Sequence, residues 1–217
     1  MRTQWDSYNP NQNRALGLMR EYDRLEPYIM NKLERLPKSL KYHNAEHTKD
    51  VINSSGKIAL VEGIKMWDVR YWLVKIGALL HDTGYILQPS GKDHEELGAD
   101  FARRLLGNFG YEHYDIINIL RMIRATKLPQ NPRTILEGIV CDADLDNLGR
   151  ADFFKRGKLL REELESLGIK NSDKEWYQRN LKFLENHGYH TKAARYLRNG
   201  KKKENVEQLK GIIASLE

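Results

Sequence analysis

The chain of 217 residues has one cysteine, six prolines and no long apolar segment. A single cysteine excludes an internal disulfide framework, which agrees with a reducing compartment. The apolar runs, such as the one at 135–140, end well short of the ~18 residues that a membrane-spanning helix needs. The first 14 residues contain no apolar signal core. We therefore expect a cytoplasmic protein without a membrane partner.

Signs of a domain boundary are also missing. The prolines and the 16 glycines are scattered, and we find no internal repeat or low-complexity tract. A chain of 217 residues is long enough for one domain with a full hydrophobic core. We therefore expect a single domain over residues 1–217.

Positive charge is in moderate excess and unevenly distributed. The formal net charge is +6, and residues 182–203 contain seven lysines and arginines against one acid, Glu185. Such a stretch suits a phosphate-bearing partner, either a small nucleotide or a nucleic-acid backbone. A solvated helix end near the C-terminus would have the same composition.

Helical periodicity dominates the sequence. Residues 67–82 have apolar positions at 69, 72, 73, 76, 79 and 80, which is typical of a helix with one broad buried face. We find no period-2 strand with hairpin punctuation. The sequence predicts an all-α bundle of eight or more helices. Further predicted helices are 94–106 after an Asp93 N-cap, 114–126, one opened by Pro132, 152–167, 173–186, 190–198 and one from about 203.

Two histidines four residues apart, His43 and His47, lie in the polar segment KYHNAEHTKDV. On a helix, positions four apart share one face, as in zinc-binding histidine pairs. An ordinary solvated helix face would show the same spacing.

A second pair, His81 and Asp82, ends the apolar helix at 67–82, directly before a glycine turn. Charged side chains are rarely buried without a partner or a metal. A divalent cation would neutralise Asp82, with an imidazole and a carboxylate as ligands. The alternative is that Asp82 caps the helix and His81 is an ordinary core histidine.

Three carboxylates, Asp142, Asp144 and Asp146, follow the apolar run ILEGIV. Carboxylates that repel one another at the end of a buried helix are costly unless a cation gathers them. Alternatively, Asp142 and Asp146, four residues apart, form a solvent-facing polar stripe, and only Asp144 then needs a cation as its partner.

The order His, His-Asp, Asp resembles the HD-domain superfamily of metal-dependent phosphohydrolases. The matching residues are His47, His81, Asp82 and Asp144. The resemblance implies an all-α fold in which these side chains hold a divalent metal inside a helix bundle. It covers about residues 40–150, so that about 151–217 would be a C-terminal helical extension.

The first histidine motif is also similar to the opening motif of the cyclic-nucleotide phosphodiesterases. In that group the first histidine is a general acid and the second binds metal, which implies that His43 is the acid and His47 a ligand. The segment CDADLDNLG resembles the group's last motif, in which the aspartate after an alanine is the ligand. This resemblance selects Asp144 over Asp142.

His94 begins the helix after the HD pair, where family members with two metals have a histidine. Such members usually have another histidine later, but here the corresponding stretch has Thr126 and Lys127. This departure argues against a complete second metal site. His94 and Lys127 are then expected to contact phosphate, with Arg195 across the mouth of the site.

These residues predict a metal-dependent phosphohydrolase that removes phosphate from a small ester, with a nucleotide favoured. A Mn, Fe, Ni, Mg or Zn ion would activate water, and Asp82 or Asp144 would take the proton of that water. Protonated His43 would donate a proton to the leaving group. Three alternatives remain: a cyclic-nucleotide phosphodiesterase, a nuclease for single-stranded nucleic acid, and a sensor that binds metal and nucleotide without turnover.

Overall fold

The computed structural model describes residues 10–216, which form ten α-helices, one short 3-10 helix and no β-strand. The all-α prediction is therefore confirmed. Residues 1–9 and 217, which the predicted domain included, lie outside the described residues. None of the described helices is both long and apolar enough to cross a membrane. The helices are α1 Pro10–Leu33, α2 Ala45–Val61, α3 Val69–Leu80, α4 Gly84–Leu87, α5 His94–Asn108, α6 His113–Ala125, α7 Ile135–Asp144, the 3-10 helix Asp146–Gly149, α8 Phe153–Ser166, α9 Asp173–Asn186 and α10 Lys192–Ala214.

The main core surrounds α3, which contacts α1, α2, α5, α6 and α7. Ile76, Leu79 and Leu80 of α3 are completely buried. Burial of each such side chain stabilises the fold by about 1.5–3 kcal/mol. Since α3 is the central helix, the residues that follow its last turn lie deep in the bundle.

A smaller core lies at the C-terminal end of the fold. Leu148, Phe153, Leu184 and Leu209 join the 3-10 helix, α8, α9 and α10 in a cluster separate from the main one. α9 packs along α10, whereas α8 packs mainly against the 3-10 helix. Hence α8 and α9 approach each other only loosely.

Two predicted helix starts differ from the structure. α7 begins at Ile135 with Thr134 as its N-cap, and the Thr134 hydroxyl accepts from the backbone N–H of Glu137. Pro132 therefore lies before the helix, not in its first turn. Asp93 occupies the N-cap position of α5 but has a left-handed backbone, with φ 53°, and makes no capping hydrogen bond.

The helices predicted at 190–198 and from about 203 are one continuous helix, α10. Gly200 lies within α10, where a glycine costs about 1 kcal/mol relative to alanine. The buried amide of Asn205 donates to the carbonyl oxygens of Leu148 and Arg150, both at 3.0 Å. These two hydrogen bonds hold the second half of α10 in line with the first. They join residues far apart in the sequence, so the local pattern did not predict the continuous helix.

Candidate metal centre and substrate cavity

His47 lies in the first turn of α2, whose N-cap is Asn44. The side-chain oxygen of Asn44 accepts from the backbone N–H groups of Glu46, at 2.9 Å, and His47, at 3.2 Å. Because the helix starts only at Ala45, His43 lies in the preceding turn. The expectation that both histidines share a helix face is therefore wrong. Their rings are nevertheless neighbours, with centroids 5.8 Å apart.

His81 and Asp82 follow α3 directly and are buried. The Nδ1–H of His81 donates to the carbonyl oxygen of Ala78 at 2.8 Å, which leaves Nε2 free to act as a ligand. Gly84 permits the next helices to pack closely, because a Cβ there would lie 1.9 Å from the carbonyl oxygen of His94. The absence of a side chain at Gly84 therefore allows the start of α5 to approach α4 closely, which brings His94 beside Asp82.

Four side chains from three segments converge on one point. His47 Nε2 lies 3.4 Å from Asp82 Oδ2 and 3.2 Å from Asp144 Oδ1. His81 Nε2 lies 3.2 Å and 3.5 Å from the same two oxygens. The two imidazole nitrogens are 3.4 Å apart. The four residues that the motifs selected are thus brought together.

This arrangement fits a divalent metal ion. Four tetrahedral ligands at about 2.1 Å from an ion lie about 3.4 Å from one another, close to the spacing of these four atoms. Asp82 Oδ2 is buried and has no hydrogen-bond partner among the described residues. Within residues 10–216, His47, His81 and Asp82 form the one group of three or more potential metal ligands with suitable spacing.

The ligand carboxylates are held in their charged form. Burial alone would raise the pKa of Asp82, but the neighbouring histidines, His81 first, hold that pKa well below its usual range. The pKa of Asp144 is lowered against burial in the same way, by His47 and His81. Both carboxylates are therefore ionised at neutral pH, as metal binding would require.

The three clustered aspartates have three different partners. Asp142 accepts three hydrogen bonds from the start of α10, two from backbone N–H groups at 2.8 Å and one from a hydroxyl at 2.7 Å. Asp146 accepts from Ser54 at 2.9 Å and from the guanidinium of Arg198 at 2.5 and 2.8 Å. Neither faces solvent, so the alternative of a solvated stripe is wrong. Asp144 is the one that faces the centre.

His43 is held beside the metal ligands by Glu163 of α8. Its ring Nδ1 lies 2.5 Å from Glu163 Oε1, and the backbone N–H groups of Tyr42 and His43 donate to Glu163 Oε2 at 2.8 and 3.0 Å. The ring of Tyr85 stacks on the imidazole at 4.6 Å. Burial opposes charge on His43, but the Glu163 hydrogen bond and the Asp82 charge raise its pKa.

A cavity of about 950 Å³ opens onto the centre. Its inner end includes His43, Asp82, His94 and Asp144. The outer end lies between α8 and α9 and is lined by both apolar and polar side chains. Its lining there includes Gly157, Leu160, Leu164, Trp176, Arg179, Asn180, Lys182, Phe183 and Asn186.

Two of the predicted substrate-binding residues line this cavity. His94 Nδ1–H donates to the carbonyl oxygen of Gly91 at 3.0 Å, and its Nε2 lies 3.5 Å from Asp82 Oδ1. Lys127 is half-exposed, with Nζ 3.6 Å from Asp93 Oδ1. A phosphate near the centre would therefore find a ring nitrogen and an ammonium group on the same side.

Arg195, the third predicted substrate-binding residue, is not among the residues that line the cavity. Its guanidinium donates to the carbonyl oxygens of Tyr189, at 2.8 Å, and His190, at 3.1 Å. The structure therefore places Arg195 at the start of α10 and does not bring it to the metal ligands.

Sequence reasoning missed Glu163 and the wall of α8 and α9. In the segment REELES, Glu163 is buried, whereas the neighbouring Glu162 and Glu165 side chains are 42% and 41% exposed. Three similar acids on one amphipathic helix carry no local signal of which one faces a distant histidine. Trp176 and Phe183 likewise match an ordinary core pattern.

Comparison with known proteins adds the family. The HD domain profile matches residues 44–146. No curated protein sequence matches the chain. A predicted HD superfamily hydrolase from an uncultured Thermotogales bacterium is 21% identical, with a TM-score of 0.61 over 90% of this chain and 94% of that one.

Bacillus subtilis YpgQ has a similar fold. Its complex with ADP is 18% identical, with a TM-score of 0.64 over 91% of this chain and 96% of that one. A second YpgQ structure is 17% identical, with a TM-score of 0.65 over 92% and 99%. The HD profile covers the helices that supply all four converging side chains, so residues 44–146 of this chain belong to the HD-domain superfamily.

Proposed function

We propose that the protein is a metal-dependent phosphohydrolase that removes phosphate from a small phosphate ester, a nucleotide by preference. The observation that carries this proposal is the convergence of His47, His81, Asp82 and Asp144 at the inner end of a cavity that also contains His43. A ligand set alone would serve storage or sensing. A positioned acid beside it favours catalysis.

His47, His81, Asp82 and Asp144 would hold the ion. A divalent metal supplies Lewis-acid polarisation of a phosphoryl oxygen and lowers the pKa of bound water. Asp82 has one oxygen at the centre and the other 3.5 Å from His94 Nε2, so its carboxylate can accept the proton that the attacking water loses. Asp144 is the alternative acceptor.

His43 would protonate the leaving oxygen. The bond to Glu163 orients the ring and favours the imidazolium form, so that a proton is available at Nε2. A positioned acid of this kind contributes about 10²–10⁴ in rate. His94 and Lys127 would balance the charge of the non-bridging phosphoryl oxygens.

Two observations support a nucleotide as the substrate. A cavity of about 950 Å³ is much larger than a phosphate group requires. The solved structure of YpgQ with ADP shows that a protein of this fold holds a nucleotide. The chain's net charge of +6 also suits an anionic ligand.

The test begins with purified protein whose bound metal is identified by mass spectrometry. Stripped protein is reloaded with Mn²⁺, Fe²⁺, Ni²⁺, Mg²⁺ or Zn²⁺ and assayed with nucleotides, phosphate monoesters and diesters. We expect at least one ion to support release of phosphate from a monoester. In His47→Ala both the metal and the activity should be lost, whereas the control His113→Ala, at an exposed residue of α6, should keep both.

Two outcomes would contradict the proposal. Full metal content and normal turnover in His47→Ala would show that His47 is not a metal ligand. Metal-loaded protein that binds nucleotides but hydrolyses none of the panel would be a sensor. Turnover confined to diesters would instead support the phosphodiesterase alternative.

A further inference from the structure

The cavity continues away from the metal centre into the space between α8 and α9. A second open volume of about 440 Å³ adjoins the first, and both are lined by Phe153, Gly157, Trp176 and Asn180. Among the described elements, α8 packs mainly on the 3-10 helix and α9 on α10. We call the space between them, bordered by Leu160, Leu164, Trp176 and Phe183, the α8–α9 cleft.

The walls of the α8–α9 cleft are apolar and in part exposed. Phe183 is 37% exposed, and Leu128, at the mouth of the same cavity, is 55% exposed. Trp176 also lines the cleft but is only 7% exposed, so Phe183 provides the accessible aromatic surface. When a flat apolar group covers solvent-exposed apolar side chains in a cavity, the burial of their surface stabilises the complex.

Positive charge borders the part of the cleft that opens onto the metal centre. Arg179 and Lys182 line the larger cavity, where α8 and α9 supply no carboxylate, whereas the adjoining smaller volume also has acidic residues in its lining, Glu162, Glu165 and Asp173. A ligand for this cavity should therefore combine negative charge near the metal with a flat apolar part several ångströms away. A nucleotide has both parts on one molecule.

We propose that the α8–α9 cleft binds the planar base of a nucleotide, so that the exposed ring of Phe183 selects the substrate whose phosphate lies at the metal centre. This proposal rests on the proposed function. Stacking of a base on an aromatic side chain contributes about 1–3 kcal/mol and works with any base. The cleft therefore confers a preference for nucleotides over phosphate esters without a base.

The cleft lies outside the part of the chain that the family profile matches. That match ends at residue 146, whereas Leu160, Leu164, Trp176 and Phe183 all follow it. The metal ligands thus belong to the matched core, and the base-binding wall belongs to the C-terminal extension. The proposed base recognition therefore lies in the C-terminal extension, and the similar solved structures, which align over 90–92% of this chain, share most of that extension.

The test measures binding by calorimetry with the full, metal-loaded chain. AMP, GMP, CMP and UMP are compared with ribose 5-phosphate, which has the same sugar and phosphate but no base. We expect the nucleotides to bind at least 10-fold more tightly than ribose 5-phosphate. Phe183→Ala, at a partly exposed residue, should remove most of that preference and leave the affinity for ribose 5-phosphate within about twofold.

Tyr196→Ala is the matched control. Tyr196 is an aromatic residue of α10 that is 84% exposed and does not line the cavity. The preference for nucleotides should be unchanged in this variant. Loss of the preference in both variants would indicate a general effect of removing an aromatic ring and would overturn the assignment.

A second measurement uses the emission of Trp176, one of four tryptophans in the chain. A base bound in the cleft lies next to Trp176 and should quench its emission, so AMP should lower the fluorescence and ribose 5-phosphate should not. The AMP-dependent quench should be largely lost in Trp176→Phe, which keeps an aromatic ring at this position. A full quench in Trp176→Phe would place the base elsewhere.

The outcomes separate this proposal from the proposed function. Equal affinity for nucleotides and ribose 5-phosphate, or tighter binding of hexyl phosphate than of any nucleotide, would overturn the base assignment even if phosphate is released. Preferential nucleotide binding without hydrolysis of any substrate would preserve the cleft and overturn the hydrolase.

Discussion

The metal centre and the α8–α9 cleft meet in one cavity but are built differently. The four converging side chains lie at the ends of helices of the main core, and His47, His81 and Asp82 are each less than 5% exposed. The walls of the cleft belong to two helices that approach each other loosely over a small core. Under the proposed function, the buried region would fix the positions of the reacting groups, and the more loosely packed region would accommodate the rest of the substrate.

The largest expected effect lies at the centre, where two aspartates of α7 can be compared. Asp144→Asn should lose metal and lower activity by about 10³-fold or more, because a neutral amide replaces the negatively charged carboxylate that would bind the ion. Asp142→Asn should keep the metal and mainly lower the free energy of unfolding, by about 1–3 kcal/mol, since it weakens the hydrogen bonds to α10. Metal analysis, turnover and urea denaturation of both variants check this difference.

Equal metal loss in the two variants would contradict the separation of the aspartates. In that case Asp142 would also contribute to the centre, and its hydrogen bonds to the start of α10 would not be its main role.

Glu163→Gln tests the link between the two regions. The variant removes the charge that favours imidazolium at His43, so kcat should fall about 10–100-fold with the metal retained. The comparison is Glu162→Gln, one position earlier in α8 and 42% exposed, which should behave like the wild type. Metal content and kcat are measured for both, and metal loss in Glu163→Gln would argue against a positioning role.

The contrast in packing should also appear in stability. Leu79→Ala in the main core should lower the free energy of unfolding by an amount near the upper end of the range of about 2–5 kcal/mol typical of such changes. The reason is that other helices surround α3, so the cavity cannot collapse. Leu184→Ala in the small core should cost near the lower end, since the adjoining open space lets its neighbours relax. Urea denaturation measures the free energy of unfolding of the two variants. Equal decreases would contradict the expected difference in rigidity between the two cores.

The smallest expected effect concerns pH. Burial, with Lys202 and His190 nearby, lowers the pKa of His187 to about 4, below the unfolded value of about 6.5. Because the unfolded chain then binds more protons than the folded one between these values, His187 makes the protein lose stability as pH falls from about 6.5 to 4. In His187→Phe this loss should be smaller, and in the exposed-site control His113→Phe it should match the wild type.

Urea unfolding at pH 7 and pH 5 compares the three proteins. An identical change in the free energy of unfolding for His187→Phe and the wild type would mean that His187 does not contribute to the acid sensitivity.

The part of the site that sequence predicted is the part with local signals. His81 and Asp82 directly follow an apolar helix, and Asp144 is the last residue of a buried one, so their positions could be predicted from periodicity and motif order. The position of His43 before α2 depends on the Asn44 cap, which the spacing of two histidines does not reveal. Glu163 and Trp176 reach the cavity only through tertiary packing, so no local pattern separated them from their neighbours.

The placement of Glu163 and Leu164 on one helix also limits how the chain can change. α8 advances about 100° per residue, so a single inserted or deleted residue before position 163 would swing the carboxylate away from His43. Substitutions at Leu160 or Leu164 alter the cleft without moving Glu163 along the helix. If the proposed roles hold, substitutions in the cleft would alter substrate preference without disturbing His43, whereas a change in the length of α8 would separate His43 from Glu163.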